Sequence, residues 1–537
     1  MIADPIRIGL ASGWKVIDAA RLDGPREIDA DVAVIGSGAG GGVTAELLAR
    51  AGLDVVILEE GPLASSSDFH MREREAYPLL YQESAGRQTK NREIAILQGR
   101  NVGGGTTVNW TSSFRTPEAT LAHWTQARGL RTVGSSAMAP WFALMEERLS
   151  IAPWPVPPNE NNDVLRRGCE KLGIPTAAIR RNVKGCANLG YCGMGCPINA
   201  KQSMLVTTIP AALERGATLV HRARVVSLEM RDERIASCEA RGVERNGTPP
   251  MAHRIRVRAR HFVLAAGAIG SPAILLRSRA PDPPLVLGTR TFLHPTVASA
   301  ATMPGKVNGF YGAPQTIYAD HFQSSLPANG PVGFKLEAAG VHPILAGITL
   351  PGFGEPHAAW MRTLDRGQVV IALLRDGFDP RSAGGRVLLR DDGSPVLDYP
   401  ISDYLRDGIR RAFLVMAEIQ FAAGAASVQA MHEYARPAGS WREARAMIEA
   451  LPMGEMAARV VTAHVMGGCA MGPDPRSAVV DESCRHHQLA NLSVHDGSIF
   501  PTSLGANPQL SIYGFSARAA SKLAAALGKP VPGVPPA

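Results

Sequence analysis

The feature that most restricts this chain is Gly36-x-Gly38-x-x-Gly41, set between a β-branched run, Asp31 to Ile35 (DVAVI), and the helical apolar spacing of VTAELLARAG. A second apolar run, Asp54 to Leu58 (DVVIL), ends in Glu59 and Glu60 and is stopped by Gly61-Pro62. Strand, glycine turn, helix and strand within about 30 residues make a βαβ unit, and continuous apolar runs of this kind are what buried parallel strands require. The first glycine permits a tight turn, the second lets backbone amides approach a pyrophosphate, and the third lets the helix pack closely on the sheet. The phosphate is then expected at the helix N-terminus. Glu59, 18 residues after Gly41, is placed to accept hydrogen bonds from a ribose diol. The unit predicts dinucleotide binding on a Rossmann-type sheet and by itself does not separate NAD from FAD.

At 537 residues the chain exceeds what one hydrophobic core usually organises, so a second domain sharing a cleft with the first is expected. Residues 1-28 show no clear period and read as an N-terminal extension on the surface. Residues 29-299 read as the nucleotide-binding domain, with a cysteine-rich insertion at 185-203. Residues 300-457 read as an α+β substrate-binding domain, with a strand signal at VVIALL from Val369 and an amphipathic stretch from Tyr404 to Ala422. Residues 458-537 return to the first domain. Asn246-Gly247, between two alternating runs, predicts a tight hairpin turn. Arg254, Arg256, Arg258 and Arg260 alternate along one run and read as a solvated strand face, so no nucleic-acid partner is expected. No secretory signal is evident at the N-terminus, and the longest apolar stretch, Phe262 to Leu276, is broken by Gly267, Gly270 and Pro272. No transmembrane segment is predicted. A cytoplasmic location is expected, with peripheral attachment to a membrane left open.

GRNVGGGTTVNWTSSFR (Gly99 to Arg115) resembles the first signature of the glucose-methanol-choline (GMC) oxidoreductases, and HVMGGCAMG from His464 and HDGSIFPTSLGANPQLSIYG from His495 are similar to the same family's C-terminal motifs. GAIGSP (Gly267 to Pro272) partly matches a further signature, degraded at Ser278-Arg279. The nearest feel is of the bacterial long-chain alcohol oxidases and the FAD-dependent sugar dehydrogenase subunits. The resemblance implies FAD as cofactor, with Arg100, Gly103, Gly104, Gly105, Thr106 and Asn109 near the pyrophosphate and flavin. It also implies Val225 beside the adenine, Asp496-Gly497 beside the ribityl chain, and Asn507, Pro508 and Gln509 against the flavin. Some members carry a flavin-linked histidine immediately before the signature asparagine. Val108 stands there, so the FAD is expected to be non-covalent.

Oxidising an alcohol requires the hydroxyl proton to leave to a base while hydride crosses about 3 to 3.5 Å to the flavin. A histidine suits the base, because its ordinary pKa near ~6.5 leaves it neutral at working pH. By resemblance His464 takes that place, and Asn507, 43 residues on, can orient the substrate oxygen and stabilise a developing alkoxide but cannot take the proton. His294, His486, His487 and His495 read as structural. Cys186-x5-Cys192-x3-Cys196 leaves four readings open: an iron-sulfur cluster, a loop of reduced cysteines, a disulfide or zinc. The expected activity is FAD-dependent oxidation of an apolar or aromatic alcohol, with oxygen, a quinone or a cytochrome as the next electron acceptor. The alternatives are a sugar dehydrogenase with an iron-sulfur cluster, a non-redox lyase that retains FAD, and a flavin-binding subunit.

Overall fold

The computed structural model describes residues 3–245, 247, 250–327 and 330–535. Its first sheet has eight strands, and five of them, Lys15–Asp18, Thr218–His221, Val55–Glu59, Arg26–Ile35 and Pro250–Leu264, run parallel in that order. Leu492–Val494 adds a parallel partner to the end of Pro250–Leu264, while Arg234–Val243 and Ala223–Arg231 extend the sheet in antiparallel sense. The strand bodies are apolar on both faces because helices cover both: Val32, Val34, Val55, Ile57, Val263 and Leu264 are all fully buried. The Rossmann-type reading is therefore borne out. Residues 1–28 differ from the surface extension expected of them, since Lys15–Asp18 is the edge strand of this sheet. Four residues are too few to show a period. Of the expected Asn246-Gly247 turn, Asn246 lies outside the described residues.

The arginine run lies on the long strand Pro250–Leu264. Arg258 pairs with Glu27 and Asp29, and Arg260 with Asp31, all on the neighbouring parallel strand, so this half of the basic stripe is locally neutralised.

The second sheet also has eight strands, in the order Ile94–Ile96, Val460–Thr462, Thr296–Thr302, Gly367–Leu374, Phe334–Ala338, Ile317–Ala319 and Ala177–Ala178, with Ser427–Ala430 also on Thr296–Thr302. Several of these come from outside residues 300–457, so the two domains are laced together by the chain. Alternation divides the sheet cleanly. Val297, Ala301, Leu336, Val370, Ala372 and Leu374 join the core that includes Ala412, Phe413 and Met416 of the helix Asp403–Ala422. Ala298, Ala300, Val369, Ile371 and Leu373 point the other way and line a cavity. The amphipathic stretch expected from Tyr404 forms that helix, capped by Ser402. No helix among the described residues is long and apolar enough to cross a membrane.

The helix that opens the fingerprint, Ala39–Arg50, is buried along most of its length. A Cβ on Gly41 would fall 1.9 Å from the carbonyl oxygen of Gly36, and one on Gly40 would fall 1.5 Å from that of His495. Gly40, which the fingerprint does not include, is thus the point where the C-terminal return presses on the first helix. Replacing Gly40 by alanine is expected to cost at least about 1–3 kcal/mol, because a backbone carbonyl cannot step aside as a side chain can. A lower melting temperature of the FAD-loaded protein is the measurement. An unchanged value would show that the return is not seated there.

Candidate active site

One cavity of about 1000 Å³ runs between the two sheets and is lined by residues of the fingerprint, both C-terminal motifs and the apolar face of the second sheet. At its nucleotide end Gly36 has φ +105°, and a Cβ there would lie 2.3 Å from the carbonyl oxygen of Ala265. Gly38 faces Gly104, the two glycine loops meeting backbone to backbone, and Gly105 opens on empty space. Ser37 joins the loops: its hydroxyl accepts from the Gly103 N–H at 3.0 Å and donates to Glu59 Oε2 at 2.6 Å. Glu59 also accepts from the N–H groups of Ser37 and Gly61. Burial pushes its carboxyl upward, against those hydrogen bonds, which favour the ionised form.

Thr106 fixes the short helix Gly105–Val108 by donating to the Gly103 carbonyl and accepting from the Met204 N–H. Arg100 is buried with Nη2 engaged on the Arg245 carbonyl, while Nε and Nη1 have no partner among the described residues. Buried guanidinium N–H groups do not stay unpaired without cost, and these stand at a cavity wall shared with Glu59, Glu60 and Arg224. A glycine cradle, a diol-accepting carboxylate and spare cationic donors fit the FAD that the resemblance implies.

Three more of the expected cofactor residues are, like Glu59, Thr106 and Asn109, already committed to the protein. Gln509 donates to the Ser112 carbonyl, Ser113 Oγ and Asn182 Oδ1, and its Oε1 accepts from Asn109 and Tyr513. It clasps the first signature to the long helix Gln509–Ala526. Asp496 takes the Gly267 N–H and the Ser271 hydroxyl on one oxygen and the Ser498 N–H on the other. The Val225 carbonyl accepts from Arg277. All three residues, with Gly497 and Pro508, still line the cavity.

At the opposite end, Phe292–Leu293 pairs with Val465–Met466 and so sets His294 beside His464. Their Nδ1 atoms are 3.0 Å apart, and His294 Nε2 accepts from the Gly505 N–H at 2.9 Å. With that nitrogen occupied as an acceptor, neutral His294 carries its proton on Nδ1 and donates it to His464 Nδ1. Neutral His464 then holds its own proton on Nε2, and it lines the cavity. Burial, then the Lys335 charge, pulls His464 down to about 3. Burial, then His464, also pulls His294 down. Asn507, two residues after Gly505, lines the same cavity and donates to Glu337 Oε2 at 3.3 Å.

His294 therefore differs from the structural role expected of it. Lys335 and Glu337 also escaped the sequence reading. The available signal was two charged residues at alternate positions of GFKLEAAG, an otherwise apolar strand.

The three clustered cysteines are free and half-buried. Among the described residues, no three His, Cys, Asp or Glu side chains converge to hold a metal ion. The loop is tied down by other means. Lys201 is buried and donates to the carbonyls of Thr107, Asn109 and Cys192, locking the loop to the first signature. Burial pulls its ammonium down to about 8. Tyr81 adds a bond to the Gly193 carbonyl at 2.7 Å.

Comparison with known proteins agrees with this geometry. GMC oxidoreductase family models match residues 77–296 and 380–516. A long-chain-alcohol oxidase of Arabidopsis thaliana is 28% identical over 513 residues, covering 90% of this chain and 67% of its own length. An uncharacterised GMC-type oxidoreductase of Mycobacterium tuberculosis is 31% identical over 493 residues, covering 91% of this chain and 75% of its own length. Among solved structures, pyridoxine 4-oxidase from Mesorbium loti superposes with a TM-score of 0.65 at 19% identity, over 92% of this chain and 98% of that one. Formate oxidase from Aspergillus oryzae gives 0.66 at 14% identity, over 94% and 99%. A cavity with two meeting glycine loops in its wall and a histidine held by a second histidine is thus that of an FAD-dependent oxidoreductase acting on CH–OH donors, and the chain belongs to the GMC oxidoreductase family.

Proposed function

We propose that this enzyme oxidises an apolar or aromatic alcohol to the carbonyl compound, with non-covalent FAD and with His464 and Asn507 handling the hydroxyl. One observation carries the substrate class. The second sheet turns Ala298, Ala300, Val369, Ile371 and Leu373 into the cavity, and Met431, Leu350 and Trp360 line it as well. A site built for a sugar would need polar groups converging on several hydroxyls, and this wall offers methyl groups. The similarity to long-chain-alcohol oxidases points the same way.

Bound FAD supplies the acceptor for the hydride. The protein's part is to hold the oxygen and move its proton. At rest, His464 meets the oxygen as an N–H donor through Nε2. To take the hydroxyl proton it must place its own proton on Nδ1, toward His294. That arrangement sets the Gly505 N–H against a second N–H on His294 Nε2, at a cost of about 1–3 kcal/mol. The histidine pair therefore grips the oxygen in its favoured state and accepts the proton in the less populated one. Asn507 forms the second polar contact and stays neutral throughout.

Two measurements test this reading. Under anaerobic conditions, long-chain primary alcohols or aryl alcohols are expected to bleach the flavin, and aldoses are not. Bleaching by an aldose alone would move the substrate class to sugars, and no bleaching by any compound would favour a lyase. With a saturating alcohol the rate of bleaching should also be flat between about pH 5 and pH 7, since a histidine drawn far below its ordinary value keeps its base form there. An ascending limb centred near ~6.5 would show instead a solvated, ordinary histidine.

A further inference from the structure

Two charged side chains stand on the cavity-side face of the second sheet, where their neighbours are apolar. Along Phe334–Ala338 the even-numbered residues belong to the core beneath the helix Asp403–Ala422, so Lys335 and Glu337 point toward the opposite face. The register places Lys335 opposite Leu373 and Glu337 opposite Ile371, both of which line the cavity. Glu337 is completely buried and Lys335 is 3% exposed. Lys335 turns its ammonium to the ring of Phe114, 3.4 Å from the centroid, and no ion pair joins it to Glu337 among the described residues. A buried carboxylate without a close counter-ion is costly, and an apolar residue would pack there more easily.

What Glu337 does hold is Asn507. Its Oε2 accepts from the Asn507 amide at 3.3 Å, while Glu337 Oε1 and Asn507 Oδ1 are both buried without a partner among the described residues. An asparagine amide has two ends of nearly equal size and opposite polarity, so an acceptor fixed at one end decides which way it faces. We propose that Glu337 is a positioning residue for the oxidation: it holds Asn507 by its amide nitrogen and so fixes the polar wall on which the substrate oxygen rests. This rests on the alcohol-oxidising reading of the site. Burial pushes the Glu337 carboxyl up, while Lys335 and the Asn507 hydrogen bond favour its charged form. The Lys335 charge, after burial, disfavours protonating His464. One strand therefore sets both members of the candidate pair.

The test is a double-substitution cycle in the FAD-loaded enzyme. It reads the limiting rate of anaerobic bleaching and the alcohol's dissociation constant separately, with melting temperature and flavin spectrum recorded for each variant. Glu337→Leu, which removes the acceptor, should slow the limiting rate by about tenfold or more, and Glu337→Gln, which retains an acceptor oxygen, should stay within about threefold of wild type. In an Asn507→Ala background, Glu337→Leu should have no further effect, because a residue that acts through another falls silent when that other is gone. Equal losses in both backgrounds, or equal losses for Gln and Leu, would overturn the proposal. If Glu337→Leu does not fold, the Gln variant in the two backgrounds decides: a loss of rate that persists without Asn507 overturns it. A wild-type enzyme that no alcohol bleaches defeats the reading of the site itself, and is distinguished from failure of the Glu337 proposal because it appears before any substitution is made.

Discussion

The parallel pairing of Arg26–Ile35 with Pro250–Leu264 is the constraint from which the site follows. It joins residues more than two hundred positions apart and places the Gly36 turn against the backbone of Ala265. The same long strand takes Leu492–Val494 on its other side, so Asp496 reaches the N–H of Gly267 and the C-terminal motifs arrive over the fingerprint. Glycine is required at Gly36, Gly40 and Gly41, where a Cβ would fall on a backbone carbonyl. The C-terminal return is therefore part of the first domain's core, and it brings His464 and Asn507 to the wall of the cavity.

The reacting end follows a different physical rule. Its polar groups are few and arranged in series: Gly505 N–H to His294, His294 to His464, and separately Asn507 to Glu337. In a setting of low polarizability such series fix proton positions that solvent would otherwise average. The same burial that makes charging His464 unfavourable keeps the histidine neutral and turns its choice of tautomer into a property of the backbone at Gly505. Around this polar cluster the strand faces are aliphatic, so the few polar groups stand in an apolar wall.

Much of this was legible in the sequence, for identifiable reasons. The fingerprint, its strands and Glu59 are local in the chain and follow from glycine sterics and apolar runs, and the FAD-binding GMC fold follows from motifs quoted residue by residue. The helix Asp403–Ala422 announced itself by its period. What escaped depended on distant pairings. Lys15–Asp18 is too short to show a pattern and becomes a strand only through Thr218–His221. His294 acquires its role from Val465–Met466, 170 residues away in the His294–His464 contact. Gly40 matters because of His495. Gln509 and Asp496, read as cofactor contacts, spend their hydrogen bonds on the protein, a saturation that only three-dimensional neighbours reveal. The cysteine spacing left several readings open, while the hold of Lys201 on the Cys192 carbonyl is a contact that no spacing announces.

The central claim is that an alcohol carbon gives hydride to flavin at the end of the cavity where His464 and Asn507 stand. The most direct measurement is anaerobic bleaching of the bound flavin by a long-chain primary alcohol carrying deuterium on its carbinol carbon, compared with the unlabelled alcohol. The account predicts bleaching by both, slower with deuterium by a primary isotope effect, and loss of bleaching in His464→Ala with the flavin still bound. Bleaching that is indifferent to the label and survives His464→Ala would place the chemistry elsewhere and contradict it.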